Sequence, residues 1–194
     1  PSFPAKTVKE LVTLARSQPG KLNYASGGNG TLPHVLTEMM KYEAKINLVH
    51  VPYKSTGLAV YAATSGEVPI AAGGLFAVKG LAESGKLRPL AITGDKRSPR
   101  YPDTPTFKEA GIDVSPLDGG AWWGMFAPAG ISAERVNFIQ TAVNKVLTSP
   151  DMKKFLDGES AEAWLLPATQ FADLLPKEIE RYKKAAKLAG VTAQ

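Results

Sequence analysis

The sequence predicts an α/β fold built on a largely parallel sheet. Three observations carry that reading. Between residues 21 and 94 the chain repeats strand, glycine-rich turn and helix at short spacing. The segment "INLVHVPY" (46–53) alternates and is β-branched, as a strand should be. Apolar residues make up 44% of 194, enough to build one large domain or two small ones.

Each element has its own justification. "TVKELVTLARSQPG" (7–20) reads as a helix: Thr7 and Glu10 have capping-box spacing, Val8, Leu11, Val12 and Ala15 share a face, and Pro19 and Gly20 end it. "KLNYAS" (21–26) is a short strand. After the glycine loop, a helix runs from about Thr31 to Ala44, with Pro33 tolerable only in its first turn. Following strand 46–53, a small-residue helix spans Leu58 to Thr64. "EVPIAA" (67–72) is a strand, "GGLFAVKGLAESG" (73–85) is glycine then helix, and "LRPLAITG" (87–94) is a strand that Pro89 confines to an edge or bulge.

From Asp95 to Gly120 the rhythm breaks. This Pro-, Gly- and charge-rich stretch, with one short helix near Thr106 to Ala110, reads as a crossing between lobes. The sequence then predicts a strand at "AWWGMFAPAG" (121–130), with Trp122 and Trp123 facing opposite sides. Next come helices at Ser132 to Leu147 and Asp151 to Leu156, and a strand near Ala161 to Leu166. A last helix spans Thr169 to Leu188, which Pro176 should kink or interrupt. The expected organisation is a lobe at 5–95, a crossover segment at 96–120 and part of another lobe at 121–194.

Composition excludes several functions. With no cysteine, disulfides, thiol catalysis and thiolate metal sites are absent. Only two histidines are present, His34 and His50, so neither a metal nor any other cofactor is expected. The net charge of +5 is dispersed, with its densest cluster at "DKRSPR" (95–100), which argues against a nucleic-acid footprint. No stretch approaches the ~20 apolar residues that span a bilayer. No signal peptide is read at the start of the chain.

The stretch "NYASGGNGTLPHVL" (23–36) carries the chemistry. A strand that runs through small residues into a helix N-terminus offers amides without intrahelical partners and the positive end of the helix dipole. Ser26 and Thr31 add hydroxyls. The nucleotide fingerprints do not fit: there is no G-x-x-x-x-G-K-[ST], and "GGNGTL" lacks the G-x-G-x-x-G spacing. A carboxylate is therefore the simpler anion. The candidate ligand-binding residues are Ser26, Gly27, Gly28, Asn29, Gly30, Thr31 and His34, with Tyr53, Lys54, Ala72, Gly73 and Gly74 at neighbouring strand ends. Thr93 and Gly94 end a further strand beside them. His34 reads more readily as a satisfied structural histidine than as a ligand contact, and His50 as packing.

"LNYASGGNGTLPH", "VHVPYKSTG", "SGEVPIAAGG", "SGKLRPLAITGDKR", "YPDTPTFKEAGI" and "WWGMFAPAGIS" follow one another in the order and spacing of one family. The chain resembles the tripartite tricarboxylate transporter substrate-binding proteins, also called TctC-like or Bug receptors, from Phe3 to Val191. That resemblance implies a type II periplasmic binding-protein (Venus flytrap) fold with one lobe complete and the other partial. It also implies a periplasmic location, a small carboxylate ligand handed to membrane permease subunits, and no catalysis. Residues 26–31 become the carboxylate loop, with His34 in its usual place. Three departures are expected to matter. The N-terminal third, with its "P-F-x-x-G-G"-like loop, would precede Pro1. Ser55 follows "HVPYK" where glycine is usual. An acidic residue common near Gly73 is absent, so the ligand should need no ammonium group.

Two other readings compete. One is a truncated module that packs or self-associates without binding anything. The other is a hydrolase with Ser26 as nucleophile and His34 as base, although "ASGGN" lacks the G-x-S-x-G elbow and no third group orients the histidine.

Overall fold

The computed structural model describes residues 3–117, 120–159 and 161–191. Asp118 and Gly119, within the 96–120 segment, and residues 192–194, at the end of the 121–194 segment, lie outside the described residues. The chain forms two compact units, residues 1–121 with 181–194, and residues 122–180.

The first unit is the α/β layer that the sequence predicts. Helix α1 (Val8–Ser17) begins where the Thr7 hydroxyl accepts the Glu10 amide at 3.1 Å. Then come strand β1 (Leu22–Ser26), α2 (Leu32–Ala44), β2 (Leu48–Pro52), α3 (Thr56–Ser65), β3 (Ile70–Ala71) and α4 (Leu75–Glu83). β1 lies between β2 and β3 and is parallel to both, in the order β2-β1-β3. A chain that adds its second strand on one side of the first and its third on the other reverses direction at β1. Its connecting helices therefore lie on opposite faces of the sheet.

The two faces have different cores. Tyr24, Leu22 and Leu48 pack with α1, α2 and Ile112, Val114 and Leu117 in the larger cluster. Ala25, the alternate residue of β1, packs with Ala59, Ala62 and Val68 on the α3 side. The larger core is completed from the far end of the chain, where buried Ala185 joins it and Tyr182, Ala186, Ala189 and Val191 pack against it. Segment 96–112 folds back onto this unit through hydrogen bonds such as Phe107 N–H to the Ile92 carbonyl at 2.9 Å. The first unit thus runs to residue 121 and takes up the chain again at 181.

The second unit contains α5 (Ala133–Leu147), α6 (Pro150–Glu159) and the first part of α7 (Ala168–Leu188). Trp122 is half-buried, meets Phe171 edge-on at 5.5 Å and donates its indole N–H to Glu178 at 2.8 Å. Trp123 is exposed. α7 passes through Pro176 as one helix, without the interruption expected there.

Five predicted elements are corrected. Residues 87–94 form one isolated bridge, Ile92 to Thr106, since Pro89 removes an amide from the middle of the would-be ladder. Residues 106–111 are a turn and not a helix. Residues 121–130 and 161–166 are not strands, because a strand exists only where a second backbone pairs with it and no described residue does so here. β3 is shorter than 67–72: Val68 instead closes the end of α3, donating its amide to the Ala62 carbonyl at 3.3 Å.

Adjacent residues of β2 test this placement. Leu48 is 1% exposed and Val49 is 44% exposed. Leu48→Ala should cost about 2–5 kcal/mol in urea unfolding and Val49→Ala under about 1 kcal/mol. Equal costs would show that the face of β2 is misassigned.

Candidate functional site

Parallel pairing puts the carboxyl ends of β1, β2 and β3 on one edge of the sheet. The helix that follows each strand starts at that edge, so the first turns of α2, α3 and α4 gather there. The orphan amides and positive dipole ends of three helices are brought together. Backbone bonds continue the alignment past the strands, with Tyr53 N–H to the Ser26 carbonyl at 2.9 Å and Ala72 N–H to the Ala25 carbonyl at 3.0 Å.

The three loops interlock around Thr56, the first residue of α3. A Cβ on Gly27 would lie 2.8 Å from both the Thr56 amide nitrogen and its Oγ1. A Cβ on Gly73 would lie 2.8 Å from Thr56 Cγ2. Glycine is therefore required at 27 and 73 for close approach. It also explains why no acidic side chain stands at 73, where Thr56 fills the space. Ser55 caps α3, its hydroxyl accepting the Leu58 amide at 3.3 Å, which gives a role to the residue found where the family usually has glycine.

Within the 26–31 loop most amides are already engaged. Gly28 N–H donates to Ser26 Oγ at 3.3 Å, Gly30 N–H to His34 Nδ1 at 3.0 Å, and Thr31 N–H to the Gly28 carbonyl at 3.4 Å. The Thr31 hydroxyl donates to the same Gly28 carbonyl at 2.8 Å. Gly28 and Gly30 have φ of +125° and +73°, which side-chain-bearing residues rarely adopt. The loop is thus a closed hydrogen-bonded turn and not the row of bare amides the sequence suggested.

Beneath the loop lies a stack of rings. Tyr24 and His50, paired in register on β1 and β2, stack at 4.8 Å, and His34 of α2 stacks on His50 at 4.0 Å. His50 Nε2 lies 2.7 Å from Ser26 Oγ. The Tyr24 hydroxyl donates to Glu38 at 2.5 Å, and Lys41 holds Glu38 at 2.7 Å. Burial, reinforced by the hydrogen bond to Glu38, keeps the Tyr24 hydroxyl protonated well above the usual phenol range. Burial, followed by the adjacent His34, pushes His50 down to about 4, and burial also lowers His34. Both rings are neutral at pH 7. An unfolded chain would protonate them nearer 6.5, so acidification from about 6.5 to about 4 shifts the balance toward unfolding.

The predicted residues divide by position. Asn29, Gly30, Lys54 and Gly73 are exposed at this edge, and Gly27, Gly28, Thr31, Ala72 and Gly74 are half-buried beside them. Ser26 is wholly buried, so its hydroxyl shapes the loop and does not face solvent. It also pairs with His50 and not His34, so the arrangement for a Ser26–His34 hydrolase is not present. The Tyr53 hydroxyl donates to Glu67 at 2.8 Å, leaving its backbone as the part that borders Gly28. His34 is buried, and its Nδ1 accepts the Gly30 amide. His50 does more than pack. Sequence reasoning missed Thr56; the signal was available in the adjacent "STG", a cap followed by a helix start at a strand end.

The family described as "Tripartite tricarboxylate transporter family receptor" matches residues 1–191. A UPF0065 protein of Bordetella pertussis is 32% identical over 164 residues, 84% of this chain and 50% of that protein. A protein of R. palustris, solved with adipate, superposes with a TM-score of 0.90 at 31% identity, covering 98% of this chain and 63% of that one. The periplasmic binding protein BugD superposes at 0.85 with 25% identity, covering 100% and 64%. The chain therefore spans about half to two thirds of the length of these relatives.

The interlock at Thr56 has a two-sided test. Gly73→Ala meets only side-chain atoms, so Thr56→Ser, which removes Cγ2, should recover most of the loss. Gly27→Ala meets the Thr56 backbone and should not be recovered. A double-mutant cycle in urea should show a coupling of about 1–2 kcal/mol for Thr56→Ser with Gly73→Ala and under about 0.5 with Gly27→Ala. Equal rescue of both would remove the interlock.

Proposed function

The chain belongs to the tripartite tricarboxylate transporter receptor family, and we propose that it captures a small carboxylate outside the cytoplasm for delivery to that transporter's membrane permease. Members of this family are periplasmic receptors and not enzymes. The observation that supports carboxylate capture is the meeting of the first turns of α2, α3 and α4 at one sheet edge, interlocked through Thr56. The carboxylate would contact the exposed part of the predicted set, Asn29, Gly30, Thr31, Lys54, Gly73 and Gly74, with Thr56 added. The remaining predicted residues, Ser26, Gly27, Gly28, His34, Tyr53 and Ala72, shape the loops. The adipate of the R. palustris neighbour supports the ligand class. The two-lobe division, with one lobe at 5–95 and part of another at 121–194, is proposed with it.

Position 73 itself carries no carboxylate to meet an ammonium group, so the preferred ligand is a plain di- or tricarboxylate. Adipate, succinate or citrate at about one hundred times its Kd should stabilise the protein by ~2.7 kcal/mol, a rise of roughly 5 °C or more in Tm. Aspartate and glutamate should do less. No shift with any carboxylate would defeat the reading, and a preference for the amino acids would defeat the account of Gly73.

A second reading, self-association, is favoured by one observation. No described residue from 122 to 180 is buried, while Met125, Phe138, Phe155 and Trp164 are 56–76% exposed. So much apolar surface favours burial against a second copy of the chain. Light scattering of the 194-residue chain at micromolar concentration should give a mass above that of a monomer. A monomer with one cooperative melt would count against it.

A further inference from the structure

We propose that His34 is a positioning residue for the 26–31 loop: its neutral Nδ1 holds the Gly30 amide, and a proton on that nitrogen releases the loop, so that carboxylate capture weakens on acidification. The inference rests on the reading of this loop as part of the carboxylate site.

The argument is geometric. Gly30 N–H reaches His34 Nδ1 at 3.0 Å, and a nitrogen that accepts this bond must carry no proton. The ring's own proton is therefore on Nε2. A second proton would set two donors against each other at that distance. His50 is not equivalent. Its Nε2 meets Ser26 Oγ at 2.7 Å, and that hydroxyl can turn to donate to the Gly28 carbonyl, 3.2 Å away, if His50 becomes the donor. The loop survives a proton on His50 but not one on His34.

The surroundings set when the proton arrives. His34 is 9% exposed and lies in the first turn of α2, where the helix dipole opposes a cation. From its own helix Glu38 favours the charged ring and Lys41 opposes it. From β2 the His50 ring stacks at 4.0 Å, too close for both rings to be charged, and Tyr24 of β1 stacks on the far side of His50. Gly30 has a φ of +73°, which glycine adopts without strain, so it is the bond from its amide to His34 Nδ1 that holds it in place. A positive ring alone would attract an anion, so the sign of the pH effect separates loop release from simple charge.

The test uses the whole chain. In amide NMR from pH 7.5 to 5, the Gly30 signal should move, and its hydrogen exchange quicken beyond the ordinary pH trend, with the midpoint of the His34 ring. The Gly85 amide, bonded to the Ala82 carbonyl, should not track that midpoint. Adipate affinity by calorimetry should fall by up to about tenfold per pH unit below that midpoint. In His34→Asn, whose amide oxygen can accept at the Nδ1 position without titrating, this component should vanish whatever the affinity at pH 7.5. Protonation of adipate itself is common to both proteins. A Gly30 amide that ignores the His34 ring overturns the proposal whether or not adipate binds. An amide that tracks the ring while adipate binding holds or strengthens overturns the link to capture. Absence of adipate binding at pH 7.5 rejects the carboxylate reading, and the amide titration alone then decides whether His34 holds the loop.

Discussion

The functional edge of this protein depends on a steric allowance. Thr56 can sit against two neighbouring loops only because residues 27 and 73 have no side chain. That contact draws the start of α3 between the loops after β1 and β3, and so fixes how close three helix N-termini come to one another. Each N-terminus alone is a weak attraction for an anion, worth a few tenths to about 1 kcal/mol at an exposed surface. Brought together in a fixed frame they act on one volume, and the ordering has been done before any ligand arrives.

The polar layer beneath makes the frame stiff. Tyr24, His50, His34, Glu38 and Lys41 form a connected set on the α2 face: Tyr24 joins β1 to α2 through Glu38, Ser26 joins β1 to His50 of β2, His34 holds the loop at Gly30, and Lys41 pairs with Glu38 within α2. Buried polar groups left unsatisfied cost about 1–3 kcal/mol each. This layer therefore disfavours any arrangement in which α2 slides along the sheet. The loop inherits its geometry from the register of β1 with β2, which sets Ser26 near His50 across 24 residues of sequence.

Much of this was legible in the sequence, for reasons that can be stated. The first five helices, α1 to α5, carry caps or proline and glycine punctuation, and their ends follow from local chemistry. β1 and β2 were legible because each has a partner in the same layer. "LRPLAITG", "AWWGMFAPAG" and the segment near Ala161 have strand-like composition but no paired backbone, and composition cannot reveal that. The glycine loop was found, yet its amides were read as bare, because the bond from Gly30 to His34 depends on a rotamer. Ser26, read as a ligand-binding hydroxyl, is buried, since a strand's last residue can lie under the turn that follows it. His50 looked like packing because its partner is distant in sequence. Thr56 looked like an ordinary helix start because the reason for glycine at 27 and 73 is visible only in three dimensions.

The closing of the larger core by Ala185 and its neighbours has a consequence for biosynthesis. A ribosome delivers residues 1–121 long before residue 185, so the nascent α/β layer emerges with one side of its core still uncovered. The contacts that finish it join residues far apart in sequence, and such contacts are slow to form. Until residues 182–191 dock, Tyr24 and Leu48 belong to a half-built core, a state that invites premature association with other chains. Maturation of the edge that gathers α2, α3 and α4 is thereby tied to the docking of Tyr182, Ala185, Ala186, Ala189 and Val191.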